Sequence, residues 1–393
     1  MDAQLQLLKE LSEQMDLEPA EDTGCPKIQR PHADKKINQA GIIYNAAVTG
    51  GKQIALLKTL LTSACERNCY YCPFRAGRDF RRTTLKPEQM ARAFISLHHI
   101  GVAEGLFLSS GIIGGGIKTQ DALIDTAEIL RSKYNYTGYL HLKIMPGAER
   151  DQILRAMQLS DRVSINLEAP NTHRLQLLAP RKVFIDELLR PLKWVEEIRQ
   201  SQPSQRGWNG RWPSLATQFV VGAVGETDYE MLQTTDYLYS RLKLKRAYYS
   251  AFKPISNTPL ENQPAESPLR EQRLYQASFL LRDYGFRLDE FLLDNTGNLP
   301  LLVDPKTAWA NNHLSNQPIE INRADAKELI RLPGIGPVSL DALFKARRDG
   351  KIKSLEDLRR ISINPVRLIP YILIDGKRPA QQLPLLKLPD LFT

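Results

Sequence analysis

Ile54-Ala55-Leu56-Leu57-Lys58-Thr59-Leu60-Leu61-Thr62-Ser63-Ala64-Cys65-Glu66-Arg67-Asn68-Cys69-Tyr70-Tyr71-Cys72-Pro73-Phe74-Arg75 joins an apolar run to three cysteines. The run Ile54 to Leu61 is short and rich in branched side chains, the pattern of a buried strand, so the thiols follow a strand's carboxyl end. In α/β sheets and barrels that end is where sites are built. The chain holds four cysteines, and three fall within eight positions at the spacing Cys65-x3-Cys69-x2-Cys72. Thiolates this close bind zinc or an iron-sulfur cluster more often than they sit inert in a core. A structural zinc site needs a fourth ligand. Cys25 is forty residues upstream, and the nearest downstream histidines, His98 and His99, fall on a predicted helix. Three protein ligands therefore suggest a metal site with one open position; a zinc knuckle or a purely structural cluster is the alternative.

With 393 residues the chain is long enough for two or three domains. Its 42% hydrophobic and 25% charged residues are those of a soluble globular protein. No run approaches the roughly 18 apolar residues of a membrane helix. The start Met1-Asp2-Ala3-Gln4 lacks a basic region and apolar core, so secretion is not expected. Reduced thiols in a cluster motif likewise predict a cytoplasmic location and no membrane partner. The net charge of +9 suits a polyanionic partner. Pro318 to Arg378 carries thirteen Lys or Arg against eight Asp or Glu, a net of +5, so the last sixth of the chain holds over half of the excess. A solvated basic face is the other reading of that bias.

Leu5, Leu7, Leu8, Leu11 and Met15 are spaced as on a short amphipathic helix, within an amino-terminal extension of residues 1–40 that contains Cys25. After the cysteine loop, strand-like and helix-like segments alternate. The strands are predicted at Gly105 to Ser109, Tyr139 to Met145, Arg162 to Leu167, Leu215 to Val221 and Ala247 to Phe252. The helices are predicted at Pro87 to His99, Thr119 to Tyr134, Glu149 to Gln158, Phe184 to Arg199, Asp228 to Leu242 and Pro268 to Tyr284. Six strand-helix units argue for parallel strands with right-handed crossovers, closing as a partial (β/α)6 barrel over residues 41–286. Residues 287–317 read as a connecting segment. Gly114-Gly115-Gly116 does not match a phosphate-binding loop and reads as a turn before a helix.

From residue 318 to 376 the pattern becomes that of a small all-α domain. Asn322 can cap a helix through Ala326 to Arg331, which stops at Leu332-Pro333-Gly334-Ile335-Gly336, and a second helix starts with Pro337. This resembles a helix-hairpin-helix. Its hairpin, Gly334, Ile335 and Gly336, would offer backbone N–H groups and a helix start to phosphates, with Lys345, Arg347, Arg348, Lys351 and Lys353 following. Such contacts read no sequence, so salt-dependent, non-sequence-specific nucleic-acid binding is expected. A protein-interaction domain is the alternative. Ser354-x-x-Asp357 has the form of a capping box, residues Ile361 to Ile374 suggest a degenerate second hairpin, and residues 377–393 read as a tail.

The cysteine spacing, with Tyr71 in the aromatic place, resembles the signature of the radical S-adenosylmethionine (radical SAM) superfamily, Cys-x3-Cys-x-aromatic-Cys. That resemblance implies a partial barrel, a [4Fe-4S] cluster on Cys65, Cys69 and Cys72, and S-adenosylmethionine chelated at the fourth iron. Reductive cleavage would then yield a 5′-deoxyadenosyl radical, fed by an electron donor such as flavodoxin or ferredoxin. Superfamily members end the second barrel strand in Gly-Gly-Glu to contact the methionine amino group; here Ser109-Ser110-Gly111 stand, with carbonyls but no carboxylate. Alternation puts Asn166 and Glu168 on one face at a strand end, resembling the Asn-x-acid pattern that holds the cofactor in relatives. Arg181 is placed like the arginine that pairs with the methionine carboxylate, and Val221 like the residue against the adenine. With the helix-hairpin-helix appended, the chain resembles DNA modification or repair radical SAM proteins. The other readings are an RNA-modifying radical SAM enzyme and a glycosylase-like binder with a structural cluster. The glycosylase-like reading would need Asp357 as its catalytic aspartate, although capping already accounts for that residue.

Overall fold

The computed structural model describes residues 3–13, 15, 43–47 and 53–380. Cys25, the basic stretch Lys27 to Lys36 and residues 381–393 of the tail lie outside the described residues. The chain divides into two units, Met1–Glu271 and Gln272–Thr393.

The first unit is a curled, partially closed sheet of seven described strands with interleaved helices. The strands are β1 (Ile43–Ala47), β2 (Gln53–Leu60), β3 (Gly105–Ser109), β4 (Tyr139–Lys143), β5 (Arg162–Ser164), β6 (Ser214–Val221) and β7 (Arg246–Ala251), and they neighbour one another in chain order. Strands β2 to β7 are parallel, as the strand-helix alternation predicts. Strand β1, which that alternation does not predict, adds antiparallel to β2. Its Ile-Tyr-Asn-Ala-Ala sequence is too short and mixed to announce itself by period.

The helices between the strands are α2 (Pro87–His99), α3 (Gly116–Glu128), α4 (Arg150–Leu159), α5 (Thr172–Leu178), α6 (Arg190–Ser201) and α7 (Asp228–Leu242). The bounds of α2 and α7 are those the periodicity predicts. Proline at the first turn starts α2, and a reciprocal Thr227–Glu230 capping box starts α7. Helix α3 continues into a π-helical turn, Ile129–Lys133, and another π-helical turn, Phe184–Leu189, leads into α6. The amino-terminal helix α1 (Ala3–Glu13) packs on β2 and α2, burying Leu8 and Leu11, with Met15 beyond its end also buried.

Strand β3 is buried on both faces, as a parallel strand covered by helices must be. Inside the curl the strands carry polar groups that bond across the sheet. His141 Nε2 lies 2.8 Å from Ser164 Oγ, and Arg162 donates to Ser214 Oγ at 2.9 Å and Tyr248 Oη at 3.1 Å. Polar groups are tolerated there because each finds a partner, and they leave the strand ends polar as well.

Helix α8 (Pro268–Asp283) spans the boundary between the units. The second unit is small and mainly helical: α9 (Pro305–His313), α10 (Ala326–Leu329), α11 (Pro337–Asp349) and α12 (Leu355–Arg360), with one two-residue parallel pair, β8 (Ile319–Glu320) and β9 (Ile372–Leu373). The α10-hairpin-α11 arrangement falls where the glycines predict it. Its cap differs from expectation. Asp325, not Asn322, accepts from Glu328 N, whereas Asn322 exchanges two hydrogen bonds with the Ile352 backbone. The expected Ser354–Asp357 box is present at the start of α12. Where a second hairpin was expected, Pro365–Arg367 and Ile369–Tyr371 form 3-10 turns.

Candidate active site

One pocket at the carboxyl ends of the strands collects side chains from across the sheet: Leu60, Cys65, Cys69, Tyr71 and Cys72 after β2, Ser109, Ser110 and Gly111 after β3, Lys143 from β4, Asn166 and Glu168 after β5, Lys182, and Gln218 from β6. The cysteine loop is stitched in place by its backbone. Glu66 N donates to Ile112 O at 2.8 Å, Tyr70 N to Leu178 O at 2.8 Å, and Gly111 N to Thr62 O at 2.7 Å. Gly111 lies so close to the loop that a Cβ there would meet Ala64 O at 2.2 Å. The Glu66 carboxylate accepts from Gly114 N and Gly115 N at 3.0 and 3.1 Å, so these glycines form the turn expected before α3, with N–H groups already engaged.

All three thiols are free. Among the described residues, no group of three or more His, Cys, Asp or Glu is gathered tightly enough to hold a single metal ion. In a cubane cluster each thiolate binds a different iron, so its ligands need to face one space rather than one point. Cys65, Cys69 and Cys72 share such a space, since all three line this pocket. Backbone N–H groups already point at two sulfurs: Arg67 N and Ile112 N at Cys65 Sγ (3.4 and 3.5 Å), and Phe74 N at Cys72 Sγ (3.4 Å). Hydrogen bonds of this kind stabilise metal-bound thiolate. Burial pushes the Cys69 and Cys72 thiols up, and the Lys182 ammonium opposes that push.

Glu168 is the most constrained acid of the site. It is 3% exposed and adopts φ +65°, a left-handed conformation that costs a non-glycine residue about 1 kcal/mol or more. The expected strand through Leu167 stops at Ser164. Glu168 rejoins the sheet by a single bridge to Phe219, so Asn166 and Glu168 reach the same pocket through a bent backbone rather than by strand alternation. Burial raises the Glu168 carboxyl, but Lys182, 2.8 Å away, and a hydrogen bond from Tyr71 outweigh it and hold the group ionised. Two buried oxygens of the pocket lining, Glu168 Oε2 and Ser110 Oγ, have no hydrogen-bond partner among the described residues. Such orphans fit a site whose ligand supplies the missing donors and acceptors. Asn166 accepts from Lys143 Nζ at 2.5 Å and donates to Gln218 Oε1 at 3.2 Å.

Other predicted positions lie elsewhere. Arg181 is exposed and outside the pocket lining, with Nη1 3.5 Å from Glu66 O. Its neighbour Lys182 lines the pocket and pairs with Glu168. Val221 is fully buried and also outside the lining. Sequence reading missed Lys143, Lys182 and Gln218. A lysine or glutamine inside an otherwise apolar strand was the available signal for Lys143 and Gln218; Lys182, one residue beyond Arg181, had none.

In the second unit, Gly334 has φ +90°, which only glycine takes without strain. Gly334, Ile335 and Gly336 line a separate cavity with Lys306 and Arg367. The cations expected beside the hairpin are differently placed. Lys345, Arg347 and Arg348 stand late in α11, roughly 12 Å or more along the axis from its start at 1.5 Å per residue. Arg347 is also committed to the Ile321 and Ala324 carbonyls.

The sequence model of the Radical SAM superfamily matches residues 59–237. No curated protein matches the chain by sequence. Among solved structures, methylornithine synthase aligns at 14% identity and TM-score 0.46, over 58% of this chain and 61% of that one. The FeFe-hydrogenase maturase HydG from Carboxydothermus hydrogenoformans aligns at 15% identity and TM-score 0.45, over 58% and 51%. A radical SAM methyltransferase from Sphaerobacter thermophilus aligns at 15% identity and TM-score 0.43, over 61% and 70%. The chain thus spans less than two thirds of the length of the first two. Residues 59–237, which contain the three-cysteine loop, are thus similar to the radical SAM superfamily.

Proposed function

We propose that the chain is a radical SAM enzyme in which Cys65, Cys69 and Cys72 hold a [4Fe-4S] cluster, and that its substrate is a nucleic acid, with DNA the first to test. The observation that carries this reading is the convergence of three free thiols, an ionised Glu168 and two orphaned oxygens on one pocket at the strand ends. Bound there, the cluster and S-adenosylmethionine supply a 5′-deoxyadenosyl radical for hydrogen abstraction. The protein's own groups do the holding. Glu168 Oε2 and Ser110 Oγ accept from an ammonium or hydroxyls, Asn166 adds an amide, Lys182 keeps Glu168 ionised, and N–H groups favour thiolate at Cys65 and Cys72. Oxygen-sensitive thiolates suit the cytoplasm, with flavodoxin or ferredoxin as electron source.

Support for a nucleic-acid substrate comes from the second unit, with its glycine hairpin and a net charge of +5 over residues 318–378. The test is anaerobic reconstitution with iron and sulfide, followed by S-adenosylmethionine and a reductant, with and without single-stranded DNA, duplex DNA or RNA. Four-iron absorbance lost in each Cys→Ala variant, and 5′-deoxyadenosine stimulated by a nucleic acid, are expected. Zinc in place of iron, or no 5′-deoxyadenosine under any condition, would end the reading.

A further inference from the structure

Beside the hairpin, within the second unit, lies a cavity of about 260 Å3 lined by Lys306, Arg367, Asp304, Tyr284 and residues Gly334 to Gly336. Lys306 is only 8% exposed, in the first turn of α9. Its ammonium donates to Ile335 O and lies 4.5 Å from the Tyr284 ring centroid. An ammonium carries three donors. Ile335 O is its one acceptor among the described residues, so two N–H bonds stay unmatched in a buried setting. Leaving them unmatched is costly unless a ligand answers them. Arg367 spends one nitrogen, Nη2, on Asp304 and Thr307. Its Nε and Nη1 are uncommitted among the described residues.

We propose that this cavity binds a phosphate group of a nucleic acid, with Lys306 and Arg367 as its cationic arms and the hairpin backbone as its floor. The proposal rests on the nucleic-acid reading above and adds two residues on which a hairpin motif is silent. It also implies a proton uptake. Burial pushes the Lys306 amine down to about 7; Asp304 opposes this, while Arg367 and Arg331 add to it. Arg331 is itself paired with Glu290 at 2.7 Å, and the Tyr284 ring lies against the amine. Above about pH 7 the free protein therefore holds a neutral amine, and a bound phosphate restores the proton. One-proton linkage then weakens binding on the order of tenfold between about pH 6.5 and 8.5. A terminal phosphate gains negative charge near pH 6, so the ligand's own titration does not produce this weakening.

The test is fluorescence anisotropy of the full chain with labelled single-stranded and duplex oligonucleotides, with and without a 5′-phosphate, at both pH values and fixed salt. Wild type should lose affinity about tenfold on raising the pH. Lys306→Met should bind about tenfold more weakly at the lower pH and be flat with pH, whereas Lys306→Arg should be flat while keeping most of the low-pH affinity. A requirement for the 5′-phosphate identifies a chain end as the ligand, and indifference to it identifies an internal diester; both support the site. If Lys306→Met does not fold, the flat profile of Lys306→Arg decides. Wild-type binding with variants that keep both its affinity and its pH dependence overturns the site alone. A wild type that binds no oligonucleotide overturns the site together with the nucleic-acid reading.

Discussion

Lys182→Met removes the cation on which the ionisation of Glu168 depends. Lys182 Nζ lies 2.8 Å from Glu168 Oε1, and the two side chains are 9% and 4% exposed. Removing one member of a buried pair typically costs about 3–5 kcal/mol, because the other charge is left in a poor solvent. Glu168 has an escape, since it can take up a proton. With Lys182 gone, the burial that raises its carboxyl is opposed only by the Tyr71 hydrogen bond and the more distant Lys143. The wild-type carboxyl is held below its ordinary value, so its contribution is complete above about pH 4.3 and is lost as the pH falls. In Lys182→Met the sign reverses: a raised carboxyl makes the folded state the better proton binder, so stability declines as pH rises above about 4.3. Urea unfolding of the metal-free full chain, followed by circular dichroism, should show the variant about 3 kcal/mol less stable near pH 8 and closer to wild type near pH 5. Adding Glu168→Gln should recover about 1–3 kcal/mol of the loss near pH 8. A variant within about 1 kcal/mol of wild type at both pH values, or a double variant no better than the single, would refute a coupled buried pair.

Gly111→Ala should displace the cysteine loop, because its Cβ would meet the Ala64 carbonyl at 2.2 Å; iron content after reconstitution should fall well below wild type, and full iron loading would count against the close approach. Arg82→Leu removes a guanidinium that donates to the carbonyls of Ser63, Phe74, Arg75 and Arg78. A loss of about 2–3 kcal/mol with faster cluster decay in air is expected, and unchanged cluster lifetime would show that the loop keeps its shape without it. Glu230 accepts from Arg174, Asn171 and Thr227 N; burial opposes, but these bonds hold its carboxyl down to about 2. Glu230→Gln should cost about 1 kcal/mol at neutral pH, discounted for its partial exposure, and the gap to wild type should close as pH falls from about 5 toward 2; a gap constant across that range would remove the ionised partner from the account. Gly336→Val brings a Cβ to 3.1 Å from Tyr284 Oη, so lost oligonucleotide affinity should come with a lower melting temperature, and a fully stable variant would show that the ring yields.

The sequence alone determined what depends on neighbours in the chain. The cysteine spacing announces the loop, the exact bounds of α2 and α7 follow from helical period and caps, and the glycines place the hairpin before α11. Ser354 and Asp357 likewise sit in a capping box that three-residue spacing defines. Tertiary structure decided the charges. Whether Arg181 or Lys182 enters the pocket depends on the turn after α5, where a shift of one residue exchanges exposed for buried. Strand alternation predicts Asn166 and Glu168 on one face, whereas the left-handed turn at Glu168 and its bridge to Phe219 are what bring the two into one pocket. Lys306 and Arg367 stand 29 and 32 residues from Ile335, and neither belongs to the hairpin pattern. Period and capping are local and can be read along the chain. A buried ion pair or an unmatched ammonium is stabilised or penalised by groups distant in sequence, and only folding brings those groups within hydrogen-bonding distance.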